Sequence, residues 1–349
     1  MIRVLIVEDS PVVRDLLVYI LESDPDIEVV ATASDGYQAI EMAQRERPDV
    51  ITMDVHMPRL DGIEAVRAIM ATNPIPTVII SASFDPGEVG GAFRALEAGA
   101  IAICEKPQGL THPLYNTQAR KIIQTVKMIS EIKVIRRWKP SSAASRPAAR
   151  GAVWPEAAPR IELVAIGAST GGPPVLCSIL TGLTTGFPAP ILIVQHIAPG
   201  FLSGLVGWLA TTSCVPVEIA RNGMIAKPGH AYIAPDGVHM EVQRSSSIRL
   251  VPGVPQNGMC PSISVLFRSV AEVFDRSAAG ILLTGMGRDG AEELLLMKNK
   301  GALTIAQDKE SSVIHGMPGE AIKLGAARQV LSPDKIVESL IHAAGNTPR

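Results

Sequence analysis

Short apolar runs alternate with longer helix-like stretches through the first part of the chain. The runs have the length of buried strands and are bounded by polar or turn-forming residues. Because a regular alternation of strands and helices is typical of parallel sheets with crossover helices, we predict an α/β fold for this segment. The predicted strands are residues 4–7, 29–31, 50–53, 77–81 and 100–104.

The same pattern returns after a compositional break. Residues 117–135 carry apolar positions at helical spacing and predict the helix that ends the first segment. Residues 138–160 are rich in Pro, Ala and Ser without apolar periodicity, which predicts a linker. Beyond it we predict a doubly wound parallel-sheet α/β unit, with strands 161–166, 191–194, 280–283 and 302–306 and a helix over 291–300. The expected domains are residues 1–125 and 161–345, joined by a helix end and linker over 126–160.

Composition excludes several classes of protein. Of the 349 residues, 47% are hydrophobic and 19% are charged, and the formal net charge is -2. This balance excludes chain-wide disorder and a general attraction to nucleic acid or anionic membranes. The most apolar stretch, residues 188–210, is broken by prolines, glycines and polar residues, so we expect no membrane insertion. The N-terminus lacks a secretory signal pattern, which predicts a cytoplasmic location.

Charged and polar side chains follow the predicted strands of the first segment. Glu8 and Asp9 follow the first strand, Asp54 follows the third, Ser81 ends the fourth and Lys106 follows the fifth. Ligand groups gather at the carboxyl ends of such strands, and three carboxylates there favour Mg²⁺. Asp54 would accept a phosphoryl group, Lys106 would balance its charge and Ser81 would hydrogen-bond it. The alternative is that the aspartates cap helices and the lysine is a solvated surface charge.

The second segment carries a glycine-flanked serine directly after an apolar run. Ser169 lies in GASTGGP, and such a turn presents one hydroxyl beside free backbone N–H groups. His196 and Asp289 follow two further strand-like runs, so we expect a nucleophile, a base and an orienting carboxylate at one sheet edge. Backbone N–H groups near Thr170 and Met286 are expected to stabilise an oxyanion. This arrangement favours a hydrolase with no cofactor in its catalytic segment.

The acidic residues and their neighbours together resemble the response-regulator receiver domain. The motifs VEDS, MDVHMP, SA and EKP stand in the expected order at strand ends, over residues 1 to about 125. The resemblance implies a flavodoxin-like fold, phosphorylation of Asp54 by a histidine kinase, and Mg²⁺ held by Glu8, Asp9 and Asp54. Receivers often have Tyr or Phe where this chain has Ile103.

The second segment resembles the catalytic domain of the chemotaxis methylesterase CheB family. GASTGGP, QHIAPGF, LLTGMGRDGA and AQDKESSVIHGMPGEAIKLGAA carry the resemblance over residues 161–345. It implies that Ser169 is the nucleophile, His196 the general base and Asp289 its orienting partner, with Thr170 and Met286 contributing to the site. It also implies hydrolysis of glutamyl methyl esters on the cytoplasmic helices of methyl-accepting chemoreceptors, with release of methanol, and deamidation of receptor glutamines.

Two positions depart from the pattern of this family. Ser264 stands where many relatives have Asp, and His315 stands where an aromatic residue is common. We expect neither residue to contact the triad.

Simpler interpretations remain open. His196 could bond backbone at a strand end, Asp289 could cap the helix near Ala291, and the glycines around Ser169 could bind phosphate. A dinucleotide site is disfavoured because no acidic residue stands about twenty positions on, over residues 183–189. A DNA-binding or other non-catalytic response regulator is the non-enzymatic alternative. The second segment has neither a helix-turn-helix pattern nor an excess of basic residues, so we expect no direct contact with nucleic acid.

Overall fold

Two parallel sheets organise the chain in the computed structural model, which describes residues 1–82, 86–132, 161–183 and 186–345, without the side chains of residues 86–88. The predicted linker over 138–160 lies outside the described residues. We call residues 1–132 the N-terminal unit and residues 161–345 the C-terminal unit. Among the described residues, no helix has the length and apolar character that a membrane span requires.

The N-terminal unit contains a five-stranded parallel sheet in the order β2-β1-β3-β4-β5. Its strands are β1 (Ile2–Val7), β2 (Ile27–Ala33), β3 (Val50–Met53), β4 (Thr77–Ser81) and β5 (Ala102–Glu105). Its helices are α1 (Pro11–Glu22), α2 (Gly36–Glu46), α3 (Gly62–Thr72), α4 (Pro86–Ala98) and α5 (Tyr115–Ser130). The strand order reverses at β1, because β2 lies on one side of it and β3 on the other. This order is that of a flavodoxin-like sheet and confirms the predicted fold class.

The sheet is covered by helices on both faces, as the alternate residues of β1 show. Leu5 and Val7 belong to a core that includes α2, α3 and α4, whereas Val4 and Ile6 belong to a core that includes α1 and α5. Each strand of a parallel sheet that is covered on both faces is a continuous apolar run, and such runs are the pattern from which the strands were predicted. The predicted end of the last helix at residue 135 is wrong, because α5 ends at Ser130. Apolar spacing does not show where the packing partner of a helix ends.

The C-terminal unit contains a seven-stranded parallel sheet in the order β14-β13-β12-β6-β7-β9-β8. Its strands are β6 (Leu163–Ala168), β7 (Ile191–Gln195), β8 (Val217–Ile219), β9 (Ala231–Ile233), β12 (Ala278–Leu282), β13 (Leu303–Gln307) and β14 (Gln329–Leu331). An antiparallel pair, β10 (His239–Val242) and β11 (Ile248–Val251), stands apart. The helices are α6 (Gly172–Gly182), α7 (Leu202–Thr212), α8 (Ile263–Phe274), α9 (Ala291–Asn299), α10 (Met317–Lys323) and α11 (Pro333–Ala343).

The sequence predicted the four longest strands of this sheet but not β8, β9, β14 or the β10–β11 pair. These elements have three or four residues each, too few to display a period. The predicted strand at 280–283 begins two residues earlier, at Ala278. The predicted helix over 291–300 is confirmed as α9, which ends one residue sooner.

Helices α4 and α7 join the two units through an aromatic contact. The rings of Phe93 and Trp208 stack with their centroids 5.7 Å apart, and Trp208 Nε1 donates a hydrogen bond to Glu97 Oε1 over 2.5 Å. A Cβ atom at Gly204 would lie 2.1 Å from Val89 Cγ1. Glycine is therefore required there for the helices to approach so closely.

Candidate active site and acidic pocket

Three adjacent strands of the C-terminal sheet, β12, β6 and β7, bring Ser169, His196 and Asp289 to one edge. Ser169 follows β6 and His196 follows β7, whereas Asp289 lies in the loop between β12 and α9. The strand order reverses at β6, and such a reversal opens a crevice beyond the carboxyl ends of the strands. The three residues that the sequence predicted to converge therefore lie in one cleft.

The turn that carries Ser169 is fixed by backbone contacts and by glycine. The Ser169 N–H donates to Thr284 O over 3.0 Å, and the residue is 9% exposed. Gly171 has a φ of 76°, in the left-handed region that favours glycine. A Cβ atom at Gly285 would lie 2.5 Å from Ser169 Cβ, so the loop after β12 approaches the serine only because it has no side chain there.

His196 pairs with Asp289 through one ring nitrogen. Its Nε2 lies 3.0 Å from Asp289 Oδ2, and the histidine side chain is 8% exposed. Its Nδ1 is buried and has no hydrogen-bond partner among the described residues. The carboxylate therefore holds the ring by Nε2 and leaves Nδ1 as the nitrogen that can accept a proton.

Four donors besides His196 surround the Asp289 carboxylate. Oδ1 accepts hydrogen bonds from Ser262 Oγ at 2.8 Å, from the Ser264 N–H at 3.2 Å and from Asn257 Nδ2 at 3.2 Å. Oδ2 accepts from the Ile263 N–H at 2.7 Å. The two backbone donors lie at the start of α8, where N–H groups lack partners within the helix. Asp289 thus occupies the anion-binding end of a neighbouring helix.

This environment keeps the Asp289 carboxyl ionised. Burial alone raises its pKa, but the hydrogen bond and charge of His196 and the donors Ile263 N–H and Ser262 Oγ together bring the pKa below its usual value. The interpretation of Asp289 as the cap of its own helix is wrong, because Gly290 occupies that position without a side-chain cap.

The expectation that Ser264 does not contact the triad is also wrong. Its N–H donates to Asp289, and its Oγ accepts a hydrogen bond from the Gly290 N–H over 3.0 Å. The Ser264 N–H reaches Asp289 because the N-terminus of α8 lies against the loop that carries Asp289. The type of residue at position 264 gives no information on where that helix packs.

Sequence reasoning missed three residues that hold the candidate triad. Gln195 Nε2 donates to the carbonyl oxygens of Ser169 and His196, each over 2.8 Å, and so ties two strand ends together. The amide side chain of Gln195, which ends an apolar run directly before the candidate base, was a usable signal. Asn257 and Ser262 gave none, since they come from a loop 27 or more residues before Asp289 in the chain.

Two predicted oxyanion donors lie in the loops that flank Ser169. Neither Thr170 N nor Met286 N donates to any acceptor among the described residues. The Thr170 carbonyl accepts a hydrogen bond from Thr284 Oγ1 over 3.0 Å, which fixes the first loop. The Gly285 carbonyl accepts from the N–H of Met317 over 2.9 Å, which fixes the second. These two N–H groups, unpaired within the described part of the chain, therefore belong to well-held loops that line the cleft.

The second cluster lies at the carboxyl edge of the N-terminal sheet. Carboxylate oxygens of Glu8, Asp9 and Asp54 lie within 4.8 Å of one another. Lys106 Nζ lies 2.9 Å from Asp54 Oδ1 and 3.3 Å from Glu8 Oε2. Ser81 ends β4 beside them, and its carbonyl accepts a hydrogen bond from the Lys106 N–H over 2.9 Å. All five predicted residues thus lie at one edge of the sheet.

The donor set of this pocket fits a hard divalent cation. Glu8 and Asp54 are buried, and Glu8 Oε2 accepts no hydrogen bond among the described residues. Burial, followed by the nearby charge of Asp54, raises the pKa of Glu8 to about 7, although Lys106 opposes this. Oxygen atoms of carboxylates are the ligands that Mg²⁺ takes in proteins, and Glu8 Oε2 contacts Lys106 Nζ only as an ion pair among the described residues, so its lone pairs can serve a cation.

The cleft of the triad is closed on one side by the N-terminal unit. It has a volume of about 830 Å³ and is lined by the triad and by Ile103 of β5 and Met128 of α5. The residue that stands in place of the usual receiver aromatic therefore faces the cleft. Access to Ser169 depends on how the two units sit together.

Comparisons with known proteins agree with both units. A family model described as CheB methylesterase matches residues 164–340, and one described as response regulator receiver domain matches residues 4–113. A protein-glutamate methylesterase/protein-glutamine glutaminase of Nitrosospira multiformis is 55% identical over 343 residues, which are 97% of this chain and 96% of that protein. One from Geobacter metallireducens is 52% identical over 349 residues, 99% of each. The crystal structure of the Thermotoga maritima CheB methylesterase catalytic domain superposes with a TM-score of 0.50 and 38% identity, covering 52% of this chain and 98% of that domain.

Proposed function

The chain belongs to the CheB methylesterase family, and from this premise we propose how its own residues perform and regulate the reaction. It is a phosphorylation-activated protein-glutamate methylesterase and protein-glutamine glutaminase. The DNA-binding alternative is not favoured, because the methylesterase family model occupies the second segment. We assign the receiver domain to residues 1–125, the helix end and linker to 126–160 and the methylesterase domain to 161–345.

The His196–Asp289 pair, in the cleft that Ser169 also lines, is the observation that carries the proposed mechanism. Ser169 Oγ attacks the ester carbonyl carbon while His196 Nδ1 takes the hydroxyl proton, and Asp289 stabilises the imidazolium through Nε2. The imidazolium then protonates the leaving methoxide, so that methanol departs and Ser169 stays acylated. Water, deprotonated by His196, then attacks the acyl carbon, and the imidazolium returns this proton to Ser169 Oγ as the glutamate side chain is released. Ammonia replaces methanol as the leaving group when the substrate is glutamine.

The oxyanion formed in both steps would accept hydrogen bonds from Thr170 N and Met286 N. Their lack of other acceptors in the described residues supports this role. Preorganised donors of this kind act without reorganisation during the reaction, and loss of one typically lowers kcat by about 10²- to 10³-fold. No cofactor is required by this scheme in the methylesterase domain.

Replacement of Ser262 by alanine should lower kcat about tenfold with little change in KM, because Asp289 loses its shortest hydrogen bond to Oδ1. Ser262 acts through Asp289, so the pH profile of kcat/KM should shift as well. The control is Ser339→Ala, which removes another buried hydroxyl, bonded to Gln329 at the far edge of the sheet. If Ser262→Ala leaves both kcat and the pH profile unchanged, Ser262 does not position the carboxylate.

In the receiver domain, Asp54 would accept the phosphoryl group of a histidine kinase. Glu8, Asp9 and Asp54 would hold Mg²⁺, which when bound offsets the negative charge of the carboxylates and of the phosphoryl oxygens. Lys106, already paired with Asp54, would pair with the phosphoryl oxygens, and Ser81 would hydrogen-bond one of them.

The substrates we propose are glutamyl methyl esters on the cytoplasmic helices of methyl-accepting chemoreceptors, so the enzyme would work in the cytoplasm. The direct test is methanol release from methylated receptor membranes, measured with and without a small phosphodonor. Release that increases with the phosphodonor supports the proposal. No release in either condition, together with a shift of DNA mobility, would favour the DNA-binding alternative.

Regulation would act through the contact between the two domains. Ile103 and Met128 lie on the receiver side of the cleft that contains Ser169, so the closed arrangement obstructs a protein substrate. Phosphorylation adds charge and acceptor oxygens at the strand ends of the receiver and can reposition its α4 and β5 surfaces. The unphosphorylated enzyme would therefore be inhibited.

Replacement of Trp208 by alanine should raise the rate of the unphosphorylated enzyme several-fold toward the phosphorylated rate, because it removes the ring stacked on Phe93. Methanol release from receptor membranes measures this effect, and Tyr37→Ala, an exposed aromatic of the receiver, serves as control. The maximal rate with phosphodonor should stay unchanged, which also shows that the domain is folded. An unchanged basal rate would mean that the α4–α7 contact does not limit access.

A further inference from the structure

Charge is unevenly distributed in the cleft around Ser169. Three cationic residues line it, namely Arg120 and Lys121 of α5 and Arg288 of the loop before α9. Among the described residues of the lining the one carboxylate is Asp289, which is bonded to His196 and to the α8 N-terminus. The accessible part of the cleft is therefore cationic, and it favours an acidic segment of the substrate protein.

Arg288 is the cation that belongs to the catalytic side of the cleft. It is exposed and forms no ion pair among the described residues. Its carbonyl accepts a hydrogen bond from the Ala291 N–H over 3.0 Å, so its backbone is fixed directly beside Asp289. The backbone that carries the guanidinium is therefore fixed next to the triad, and the guanidinium donates to no acceptor among the described residues.

A second, smaller cavity of about 310 Å³ contains two carboxylates, those of Glu292 and Glu293. Arg288 and Asn257 line both the cleft and this cavity. Arg268 in the smaller cavity pairs with Glu293 over 2.7 Å, whereas Glu292, also in its lining, forms no ion pair with Arg288 in the described part of the chain. Of the two arginines that line the smaller cavity, Arg288 is therefore the one without an ion pair among the described residues, and it also lines the cleft.

We propose that Arg288 is a specificity-determining residue that binds a free carboxylate of the substrate near the ester being hydrolysed. This inference rests on the proposed function and names a feature of its substrate. On a helix, residues three or four positions apart have Cβ atoms about 5–6 Å apart, so one carboxylate can reach Arg288 while a neighbouring ester reaches Ser169. A guanidinium can bind such a carboxylate through two parallel hydrogen bonds.

This arrangement makes hydrolysis depend on the state of neighbouring glutamates. A free glutamate offers the carboxylate that Arg288 binds, whereas its methyl ester and the corresponding glutamine are uncharged. A site next to an already hydrolysed ester should therefore be processed faster than one next to an intact ester. Arg120 and Lys121 lie on the receiver wall and would move away with it, so Arg288 alone provides this preference in the active enzyme.

The test uses the full chain with a phosphodonor and two synthetic helical peptides. Each peptide contains one glutamyl methyl ester, flanked four residues away on both sides by glutamate in one peptide and by alanine, which the enzyme cannot convert to an acid, in the other. Wild-type enzyme should prefer the acidic peptide. Arg288→Gln should lower kcat/KM for the acidic peptide about tenfold, mainly through KM, and change that for the neutral peptide less than about twofold. The control is Arg221→Gln, which removes an exposed charge outside the cleft.

The outcomes separate this inference from the proposed function. Equal rates on both peptides, or an equal loss on both in Arg288→Gln, overturn the role of Arg288 and leave the methylesterase activity intact. A similar loss in Arg221→Gln also overturns it, because net charge then explains the preference. If wild-type enzyme hydrolyses neither peptide and releases no methanol from receptor membranes, the proposed function fails and this inference fails with it.

Discussion

Replacement of Ser169 by alanine is expected to lower ester hydrolysis by about 10⁴- to 10⁶-fold, because it removes the nucleophile and leaves only binding and the oxyanion donors. The serine lies at a glycine-flanked turn with its backbone held by Thr284, so loss of one hydroxyl should not disturb the fold. The measurement is methanol release from methylated receptor membranes in the presence of a phosphodonor. Thermal unfolding of the variant should match that of the wild type.

His196→Ala should cause a loss of the same order, because nucleophile and base act as a unit. Gln195→Ala is the informative comparison, since it removes the link between the strand ends but none of the reacting groups. We expect it to retain far more activity than either triad variant. A folded Ser169→Ala enzyme that keeps more than a tenth of the wild-type rate would exclude Ser169 as the nucleophile.

Replacement of Asp54 by asparagine is expected to abolish phosphoryl transfer to the enzyme and, with it, activation by the phosphodonor. Asp54 is the acceptor in our proposal, and its oxygens lie within reach of Glu8, Asp9 and Lys106. Incorporation of radiolabelled phosphate from a small phosphodonor measures the first effect, and methanol release measures the second. Excess EDTA should likewise suppress labelling of the wild type, because the clustered carboxylates otherwise repel the incoming phosphoryl group.

The matched control for this experiment is Asp61→Asn. Asp61 caps α3 by accepting a hydrogen bond from the Glu64 N–H over 2.8 Å, and asparagine caps helices equally well. This variant should label and respond to the phosphodonor normally. Labelling of Asp54→Asn at the wild-type level, or full labelling of the wild type without divalent cation, would contradict the acceptor site.

Much of the fold and of both candidate sites could be predicted from the sequence, for one topological reason. In a parallel α/β sheet the carboxyl ends of all strands lie at one edge. Residues that follow separate strands therefore meet there, and this can be predicted without knowing any long-range contact. Glu8, Asp54 and Ser169 directly follow apolar runs, and His196 is separated from one by Gln195 alone. The period of the strands and the position of these residues are local properties, which the sequence displays.

The tertiary structure alone decided what depends on contacts between distant segments. That Asp289 holds Nε2 of His196, and is itself held by the N-terminus of α8, follows from how a helix docks beside a loop. The stacking of Phe93 on Trp208 joins residues of different units. Such contacts depend on shape and packing across the whole molecule, so the local periodicity of apolar residues in the sequence does not indicate them. The sequence by itself therefore determined which residues reach the sheet edges, and packing determined how their atoms pair there.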